Sequence, residues 1–387
     1  MALLLVGCVD VSGVVGRAVS SKKIAFIVNV DWFFVSHRLP IALKAIEDGY
    51  EVHLLCAVTD RQEYLEGLGI IVHSFDFSRS GKNIFNELGS IYKLYQQIKK
   101  IKPDLVHLVT IKPVIYGGVV SRLAKVPAVV SAISGLGFLF VKSRGIKTVL
   151  LRSMVLFLYR LAMNHNNQRV IFQNPTDRQA LVDAGGVQES KTRMIRGSGV
   201  ALNKYPMLPE PEGLPVIIMA SRLLKDKGVC EFVEAARIVN SRGLKAHFKV
   251  VGEPDEGNPE NVSRALVQFW QDEGIVSCLG YRSDIAPLFS QAHIVVLPSY
   301  REGFPKVLIE AAACGRAVIT TDVPGCRDAI EVNITGLLVP ARDAVSLAAA
   351  MLTLIDDVTL RKKMGLAGRG LAEREFSIDK VVAAHFA

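Results

Sequence analysis

The chain has 387 residues, half of them apolar, and a formal net charge of +9 at pH 7. This length predicts two globular domains, and the apolar fraction is enough for two hydrophobic cores. Its six cysteines form no Cys-x-x-Cys pair and lie mostly in apolar stretches, which argues against a disulfide scaffold or a metal cluster and favours reduced thiols in a cytoplasmic protein.

Positive charge is concentrated in the first half of the chain. Residues 1–205 contain 26 basic and 14 acidic side chains, a net of +12, whereas residues 206–387 contain 20 and 23, a net of −3. A basic half predicts an anionic partner, which could be an anionic membrane surface, a lipid-linked diphosphate or a nucleic acid. We expect no nucleic acid, because the chain has no RNA-binding motif and no arginine-rich tail.

The chain opens with a short apolar segment. Residues 1–21 lack the basic start of a signal peptide, are too short to span a bilayer and are interpreted as an N-terminal extension. Strand-like and helix-like segments then alternate, a pattern typical of a parallel α/β sheet. Strands are predicted at 23–28, 51–57, 70–75, 105–109, 128–132, 168–173 and 192–195, with helices at 37–48 and 83–101 among those between them.

This alternation breaks in a proline-rich stretch, residues 201–214, which we interpret as an interdomain linker. Further strands are predicted at 215–220, 246–251, 276–279, 294–297, 317–320 and 336–339, and late helices at 344–355, 360–373 and 378–386. The predicted fold class is therefore α/β, with two Rossmann-like parallel-sheet domains, 22–200 and 215–375, facing a cleft, and a C-terminal helix in 376–387. No transmembrane helix is expected, since no run of 18 uncharged apolar residues occurs.

Two cations follow the first strand of the second domain, Arg222 and Lys227. Because they precede a predicted helix near residue 228, they and the helix N-terminus could hold a diphosphate. Gly252 ends the next strand, where a residue without a side chain allows close approach of a ligand. Each feature by itself also fits an ordinary loop.

Two glutamates eight positions apart, Glu302 and Glu310, follow a later strand of this domain. We expect Glu302 on the loop after the strand and Glu310 about two turns into the next helix. Between them, Gly303 and Pro305 keep side chains off the loop, so that backbone N–H groups could face a ligand.

This segment, Glu-Gly-Phe-Pro-Lys-Val-Leu-Ile-Glu, resembles the E-x7-E signature of the retaining glycosyltransferases of family 4, which have the GT-B fold. The resemblance implies that Glu302 binds hydroxyls of the donor sugar and Glu310 the ribose of the nucleotide. Gly303, Phe304 and Pro305 would belong to the same donor-binding loop.

Arg222 and Lys227 resemble the R-x4-K pair with which this family holds the donor phosphates. The resemblance also implies that Tyr281 and Arg282 border the base. No Asp-x-Asp motif is present, so we expect a transfer that needs neither metal nor cofactor, with retention of configuration implied by the family.

The first-domain candidates leave alternatives open. Trp32 and its two neighbouring phenylalanines, in the loop expected after the first strand, could stack on a sugar, contact an apolar tail or fill the core. His107 could face the cleft at the end of the fourth strand or be a core histidine, and Lys112 could bind an acceptor phosphate. Ser134 stands where many family members have a histidine near the donor sugar.

Two short segments, Thr-Ile-Lys-Pro and Ser-His-Arg-Leu-Pro, look like the subgroup that adds N-acetylhexosamines to undecaprenyl-diphosphate-linked precursors. The stretch 140–163 mixes basic residues with a strongly apolar helix, which favours contact with an anionic membrane surface over a buried helix.

These features predict a hexosyltransferase that moves a hexose or N-acetylhexosamine from a nucleotide sugar, a UDP-sugar, to a lipid-linked saccharide during assembly of a cell-surface polysaccharide. We expect it to be a cytoplasmic protein held peripherally at the inner face of the membrane. The alternatives are a nucleotide-sugar 2-epimerase of the same fold and a non-enzymatic protein that binds membrane or nucleic acid.

Overall fold

The computed structural model describes residues 21–77, 84–136 and 146–387. The interpretation of an N-terminal extension therefore falls outside the described residues except for Ser21. The stretch predicted to contact a membrane is described from residue 146 onward.

The first domain is built on a seven-stranded sheet in which every neighbouring pair of strands is parallel, in the order β3-β2-β1-β4-β5-β6-β7. Its strands are β1 (Lys23–Val30), β2 (Glu51–Ala57), β3 (Ile71–Ser74), β4 (Leu105–Val109), β5 (Ala128–Ile133), β6 (Gln168–Phe172) and β7 (Thr192–Met194). Its helices are α1 (Asp31–His37), α2 (Leu39–Glu47), α3 (Gln62–Gly67), α4 (Ile84–Ile101), α5 (Ile111–Leu123), α6 (Ile146–Ala162) and α7 (Pro175–Asp183).

Side chains of β1 alternate between two apolar cores. Ala25 and Ile27 pack with α4, α5 and α6 on one face, whereas Phe26 and Val28 pack with α2 on the other. Because successive side chains of a strand point to opposite faces, a strand covered on both sides has to be apolar throughout. This explains the uninterrupted apolar runs of the sequence.

The second domain contains a six-stranded parallel sheet in the order β10-β9-β8-β11-β12-β13. Its strands are β8 (Val216–Ala220), β9 (His247–Val251), β10 (Ser277–Cys278), β11 (Ile294–Leu297), β12 (Ala317–Thr321) and β13 (Gly336–Val339). Its helices are α8 (Val229–Ser241), α9 (Arg264–Asp272), α10 (Ile285–Ser290), α11 (Lys306–Ala313), α12 (Ala344–Asp356) and α13 (Val358–Leu371), and α14 (Ile378–Phe386) ends the chain. The predicted α/β architecture of two Rossmann-like parallel sheets is confirmed.

Each sheet reverses its strand order at one point, between β1 and β4 in the first domain and between β8 and β11 in the second. The loops that leave the carboxyl ends of such neighbouring strands diverge and open a crevice, which is where ligands bind in open α/β sheets. The fold thus brings the loop after β8 and the loop after β11 side by side.

The two connections between the domains run next to each other. Val200, which precedes the linker, exchanges two backbone hydrogen bonds with the chain entering α14, from its N–H to Phe376 O (2.8 Å) and from the Ile378 N–H to its own carbonyl (3.0 Å). Helix α14 then packs against α2 of the first domain. The C-terminal helix therefore returns to the first domain.

Several predicted element bounds differ from the structure by one or two residues, and two differences concern the type of structure. The aromatic segment after β1 is the helix α1 rather than a loop, and its first residue, Asp31, is buried with its carboxylate accepting hydrogen bonds from the Trp32 N–H (2.7 Å) and the Thr59 N–H (2.7 Å). The late helix predicted to reach residue 373 ends at Leu371 and continues as one π-helical turn, Ala372–Phe376. Turns of this kind depend on packing and have no sequence signature.

Among the described residues, no helix is long and apolar enough to cross a bilayer. The five described cysteines are free thiols, three of them buried and two half-buried, as predicted for reduced core residues.

Candidate active site

A cleft of about 1000 Å³ lies between the two sheets and is lined by both domains. The first domain contributes residues that follow β1, β4 and β5, among them Trp32, Lys112 and Ser134. Across from them are Arg222, Gly252 and Glu310 of the second domain, among other residues. The cavity size is that of a site for a substrate with several rings.

The loop after β8 carries the two predicted cations. Arg222 lines the cleft, and its guanidinium donates to Asp255 Oδ2 at 2.9 Å. Lys227 ends a 3-10 turn, and Gly228 follows it with a φ of +75° at the start of α8. A side chain at Gly228 would meet Pro298 O at 2.1 Å, so only glycine allows this loop to lie against the loop after β11.

That close approach joins Lys227 to Glu302. The Lys227 Nζ and Glu302 Oε1 atoms are 2.6 Å apart, and both side chains are less than one-fifth exposed. The structure therefore brings together a cation and a carboxylate that are 75 positions apart in the sequence. Neither Lys227 nor Glu302 is among the residues that line the cleft in this structure.

Gly303 presses against the first domain. A side chain here would lie 1.6 Å from Ser134 O, because the two loops touch backbone to backbone, and Gly303 O accepts a hydrogen bond from Asn174 Nδ2 at 2.7 Å. Next to it, Arg301 forms a buried ion pair with Asp177 of the first domain at 2.9 Å. The loop that carries Glu302 is thus clamped across the domain interface.

Sequence reasoning missed Arg301, Asn174 and Asp177. The only available signal was the Asn-Pro-x-Asp segment at the start of α7, which indicates a helix cap, and Asn174 does cap this helix by accepting from the Asp177 N–H at 2.7 Å. Nothing local links that cap to a loop more than 120 residues later.

The other two residues of this loop lie in the interior. Phe304 is 8% exposed, its ring packs edge-on against Phe376 at 5.4 Å, and it is not among the residues that line the cleft. Pro305 is the N-cap residue of α11. In this structure Phe304 and Pro305 thus shape the loop from behind, and their predicted contact with substrate stays a prediction.

Glu310 lines the cleft from the fifth position of α11, little more than one turn into the helix rather than two as predicted. Its Oε1 accepts a hydrogen bond from the Tyr205 hydroxyl at 2.7 Å and lies 3.5 Å from Lys306 Nζ. Burial raises the pKa of Glu310 above its ordinary value, although Lys306 and Tyr205 act against this. This carboxylate is suited to accept hydrogen bonds from ligand hydroxyls.

Gly252 and Arg282 lie at the outer part of the second-domain wall. A side chain at Gly252, whose φ is +137°, would meet Ser221 O at 1.8 Å, so that the loops after β8 and β9 can touch only with glycine here. Arg282 is exposed and pairs with Asp284, with Nε and Oδ1 2.7 Å apart. Tyr281 beside it is 69% exposed and lines the cleft.

On the first-domain wall, Lys112 lies in the first turn of α5 and its ammonium contacts Glu87 Oε1 at 2.8 Å. The second oxygen of Glu87 accepts from the Tyr116 hydroxyl at 2.5 Å. Lys112 lines the cleft and also belongs to a polar cluster that joins α4 to α5.

His107 is not among the residues that line the cleft. The structure agrees with the alternative in which it is a core histidine. Its ring is 4% exposed and is stacked between Phe26, at 5.0 Å, and His385 of α14, at 5.7 Å. Burial lowers the pKa of His107 well below its ordinary value, so the ring is neutral. It lies in the middle of β4, where one face of the strand points into the interior.

Of the three aromatic residues of α1, two reach the cleft and the third lies in the core. Trp32 is 47% exposed and lines the cleft with Phe33, whereas Phe34 is fully buried. Phe33 is stacked on His37 at 4.0 Å, and burial, with Arg38 and Lys306 nearby, lowers the pKa of His37 to about 3. Of these three aromatics, Trp32 has the ring most exposed for contact with a substrate.

Comparison with known proteins identifies the family. The family model described as "Glycosyl transferase 4-like" matches residues 23–174, and that described as "Glycosyl transferases group 1" matches residues 214–357. The N,N'-diacetylbacillosaminyl-diphospho-undecaprenol alpha-1,3-N-acetylgalactosaminyltransferase of Campylobacter jejuni is 32% identical over 353 residues, which are 88% of this chain and 91% of the relative. The chain belongs to the group 1, GT4-like glycosyltransferases.

A second relative and a solved structure also match most of the chain. The UDP-Gal:alpha-D-GlcNAc-diphosphoundecaprenol alpha-1,3-galactosyltransferase of Escherichia coli is 26% identical and covers 80% of this glycosyltransferase and 81% of the relative. The crystal structure of Anabaena Alr3699/HepE in complex with UDP superimposes with a TM-score of 0.75 at 20% identity, covering 94% of this chain and 98% of the other. That likeness confirms the predicted GT-B fold.

Proposed function

We propose that this glycosyltransferase moves a hexose or N-acetylhexosamine from a UDP-sugar to a saccharide carried on undecaprenyl diphosphate. The observation that carries the proposal is the group of charged residues at the switch point of the second sheet, where Arg222 and Glu310 line the cleft and the Lys227–Glu302 ion pair joins the loops after β8 and β11. Relatives whose names specify undecaprenyl-diphosphate-linked acceptors support the acceptor class.

In this proposal the donor diphosphate lies against Arg222 and Lys227, and the ribose against Glu310. As the bond between the anomeric carbon and the diphosphate breaks, negative charge grows on the leaving oxygen and the two cations stabilise it. The acceptor hydroxyl attacks from the same face, its proton passes to the leaving diphosphate, and the configuration is retained. The cations perform the electrostatic work here, so the proposed reaction includes no metal and no cofactor.

Glu302 then has two partners in turn. In the structure it neutralises Lys227 at 2.6 Å. A diphosphate that engages Lys227 would leave the Glu302 carboxylate to accept hydrogen bonds from the donor sugar. In such an exchange Lys227 keeps an anionic partner and the Glu302 carboxylate keeps hydrogen-bond donors.

The acceptor would bind at the first-domain wall. Lys112 lines the cleft in the first turn of α5, where the helix dipole favours an anion, and Trp32 offers an exposed ring nearby on the same wall. We propose that Lys112 contacts the acceptor diphosphate. The variant Lys112→Gln should raise KM for the lipid acceptor several-fold and leave KM for the donor unchanged.

We further propose that α4 and α6 rest on an anionic membrane surface at the cytoplasmic face. Leu88 and Tyr92 on α4, and Met154 and Phe157 on α6, are each more than half exposed, and both helices pack on α5 at the same side of the sheet. Apolar side chains on a basic domain suit the interface of an anionic bilayer.

Vesicle sedimentation tests the membrane proposal. The variant Phe157→Asp should lower binding to vesicles that contain anionic lipid, while Phe269→Asp, at a residue of the second domain that is 53% exposed, should not. Equal binding of both variants would refute it.

The transfer itself is tested with a panel of UDP- and GDP-sugars and an undecaprenyl-diphosphate-linked saccharide, with the lipid product analysed by mass. We expect one UDP-sugar to add the mass of a single sugar residue, and Glu302→Gln and Glu310→Gln to reduce this strongly. The matched control is Glu331→Gln, at a surface carboxylate 40% exposed. Failure of every nucleotide sugar, or release of a free 2-epimer instead of a lipid product, would refute the proposal.

A further inference from the structure

The interdomain linker reaches into the donor side of the cleft through Tyr205. Its hydroxyl donates to Glu310 Oε1 at 2.7 Å, and the Lys306 ammonium lies 3.5 Å from the same oxygen. Burial and the neighbouring Glu310 charge raise the pKa of Tyr205, so that the hydroxyl stays protonated and remains a donor. One oxygen of the carboxylate is thus held by the protein.

The backbone of Tyr205 is fixed to the helix that carries Glu310. The Arg369 guanidinium donates from Nη1 to Tyr205 O (2.8 Å) and to Ala313 O (2.6 Å), the latter at the end of α11. The same cation therefore holds the linker and the last turn of α11 together. Tyr205 is positioned with respect to Glu310 as firmly as a residue of the second domain.

Two further linker residues are also held by side chains of the second domain. Arg316 donates to Leu208 O at 2.9 Å, and Glu210 forms a buried ion pair with Arg361 at 2.9 Å. The linker is thus part of the donor-binding body from Tyr205 onward. A hydroxyl on such a segment can keep its geometry while the domains move.

We propose that Tyr205 is a positioning residue for the nucleotide ribose: it holds Glu310 by one oxygen, so that the other oxygen is presented to the ribose diol of the donor. This rests on the proposed function, in which Glu310 binds the ribose. Tyr205 itself does not touch the ribose. It acts by removing the rotational freedom of the carboxylate and by donating to its ionised form.

The test compares UDP with 2′,3′-dideoxy-UDP, which lacks the ribose diol, by calorimetry on wild type and Tyr205→Phe. The wild type should prefer UDP, and Tyr205→Phe should weaken UDP binding by about 10-fold, as expected for a lost hydrogen bond to a charged group, while dideoxy-UDP binding changes less than twofold. Tyr64→Phe, at an exposed residue of α3, is the control and should change neither affinity. Because the readout is a ratio of two affinities in the same folded protein, lower stability alone does not produce it.

The pH dependence of kcat/KM for the donor gives a second readout. Burial raises the pKa of Glu310, and Lys306 and the Tyr205 hydrogen bond oppose this effect. In Tyr205→Phe only Lys306 opposes it, so the pKa of Glu310 rises further and the acidic limb of the kcat/KM profile should move to higher pH. The other titratable neighbour, Cys314 one turn further along α11, is held neutral because burial raises the pKa of its thiol to about 11.

The outcomes separate the inference from the proposed function. If the wild type prefers UDP but Tyr205→Phe weakens both nucleotides equally, or neither, the positioning role of Tyr205 is wrong and the donor site stands. If the wild type binds neither nucleotide, or both equally, the donor assignment of Glu310 is wrong, and the inference is overturned with it.

Discussion

The contact between Gly303 and the first domain makes a demanding prediction for Gly303→Ala. The added methyl group would lie 1.6 Å from Ser134 O and 2.9 Å from the Gly135 N. Real Cβ atoms essentially never come within 3.0 Å of another heavy atom, so the two loops must separate by about 1.4 Å, the difference between that limit and the 1.6 Å to Ser134 O. Both clashes are with backbone, and no side-chain rotation can relieve them.

A separation of this size should lower the rate of sugar transfer, because Glu302 directly precedes Gly303 and would move with it. Displacement of a reacting group by about 1 Å costs on the order of 100-fold in rate, or roughly 2.7 kcal/mol of transition-state stabilisation. We therefore expect Gly303→Ala to lower kcat/KM by about 100-fold. Gly303 itself lies at the contact between the domains rather than in either core, so each domain should keep its fold.

The assay is initial-rate transfer of sugar to the lipid acceptor, with thermal unfolding measured on the same preparations. The matched control is Gly67→Ala at the end of α3, where an added methyl group would meet nothing within 4 Å. The control should leave both rate and melting temperature unchanged. A Gly303→Ala enzyme with kcat/KM within threefold of the wild type would show that the contact across the cleft is unimportant for the reaction.

Three further changes test other contacts. Lys227→Met should lower kcat by about 100- to 1000-fold, because it removes a preorganised cation and leaves Glu302 with an uncompensated charge; a tenfold effect or less would contradict the assigned role. Glu210→Gln should reduce the free energy of unfolding in urea by about 3 kcal/mol, because Arg361, only 4% exposed, would lose its anionic partner; an unchanged midpoint would contradict this. His107→Phe should keep kcat/KM within a few-fold of the wild type and cost little stability, because the histidine Nε2 is buried without a hydrogen-bond partner; a 100-fold loss would restore a substrate-binding role for His107.

The variant Glu331→Gln is the control for the stability prediction on Glu210→Gln. Glu331 pairs with Arg374 at 2.8 Å, but both side chains are well exposed. Pairs of this kind contribute about 0–1 kcal/mol, so this variant should unfold at nearly the wild-type urea concentration.

The sequence by itself determined the architecture and singled out the polar residues that we propose for the donor side. Strands such as Glu51–Ala57 and Ile294–Leu297 were predicted with their observed bounds, since strands covered on both faces are apolar runs bounded by turn residues. The loops after the parallel strands of the second domain leave the same edge of its sheet, and this placement, together with the resemblance to the family 4 signatures, predicted that Arg222, Glu302 and Glu310 belong to one site.

Only the tertiary structure decided which predicted residues contact each other and which are buried away from the cleft. The strand order makes β8 and β11 neighbours, and the 2.6 Å contact between Lys227 and Glu302 follows from that pairing, which no local pattern encodes. In the same way, His107 could be read as a cleft residue until its neighbours Phe26 and His385, far apart in the sequence, were seen to enclose it.

The same limit explains the role of the linker. Its prolines marked residues 201–214 as a connection, but a proline-rich stretch does not reveal what it packs against. The hydrogen bond from Tyr205 to Glu310 joins positions 105 residues apart and depends on how Arg369 and Arg316 hold the linker against α11. Local sequence encodes backbone preference and burial, whereas contacts between distant segments arise only when the chain has closed on itself.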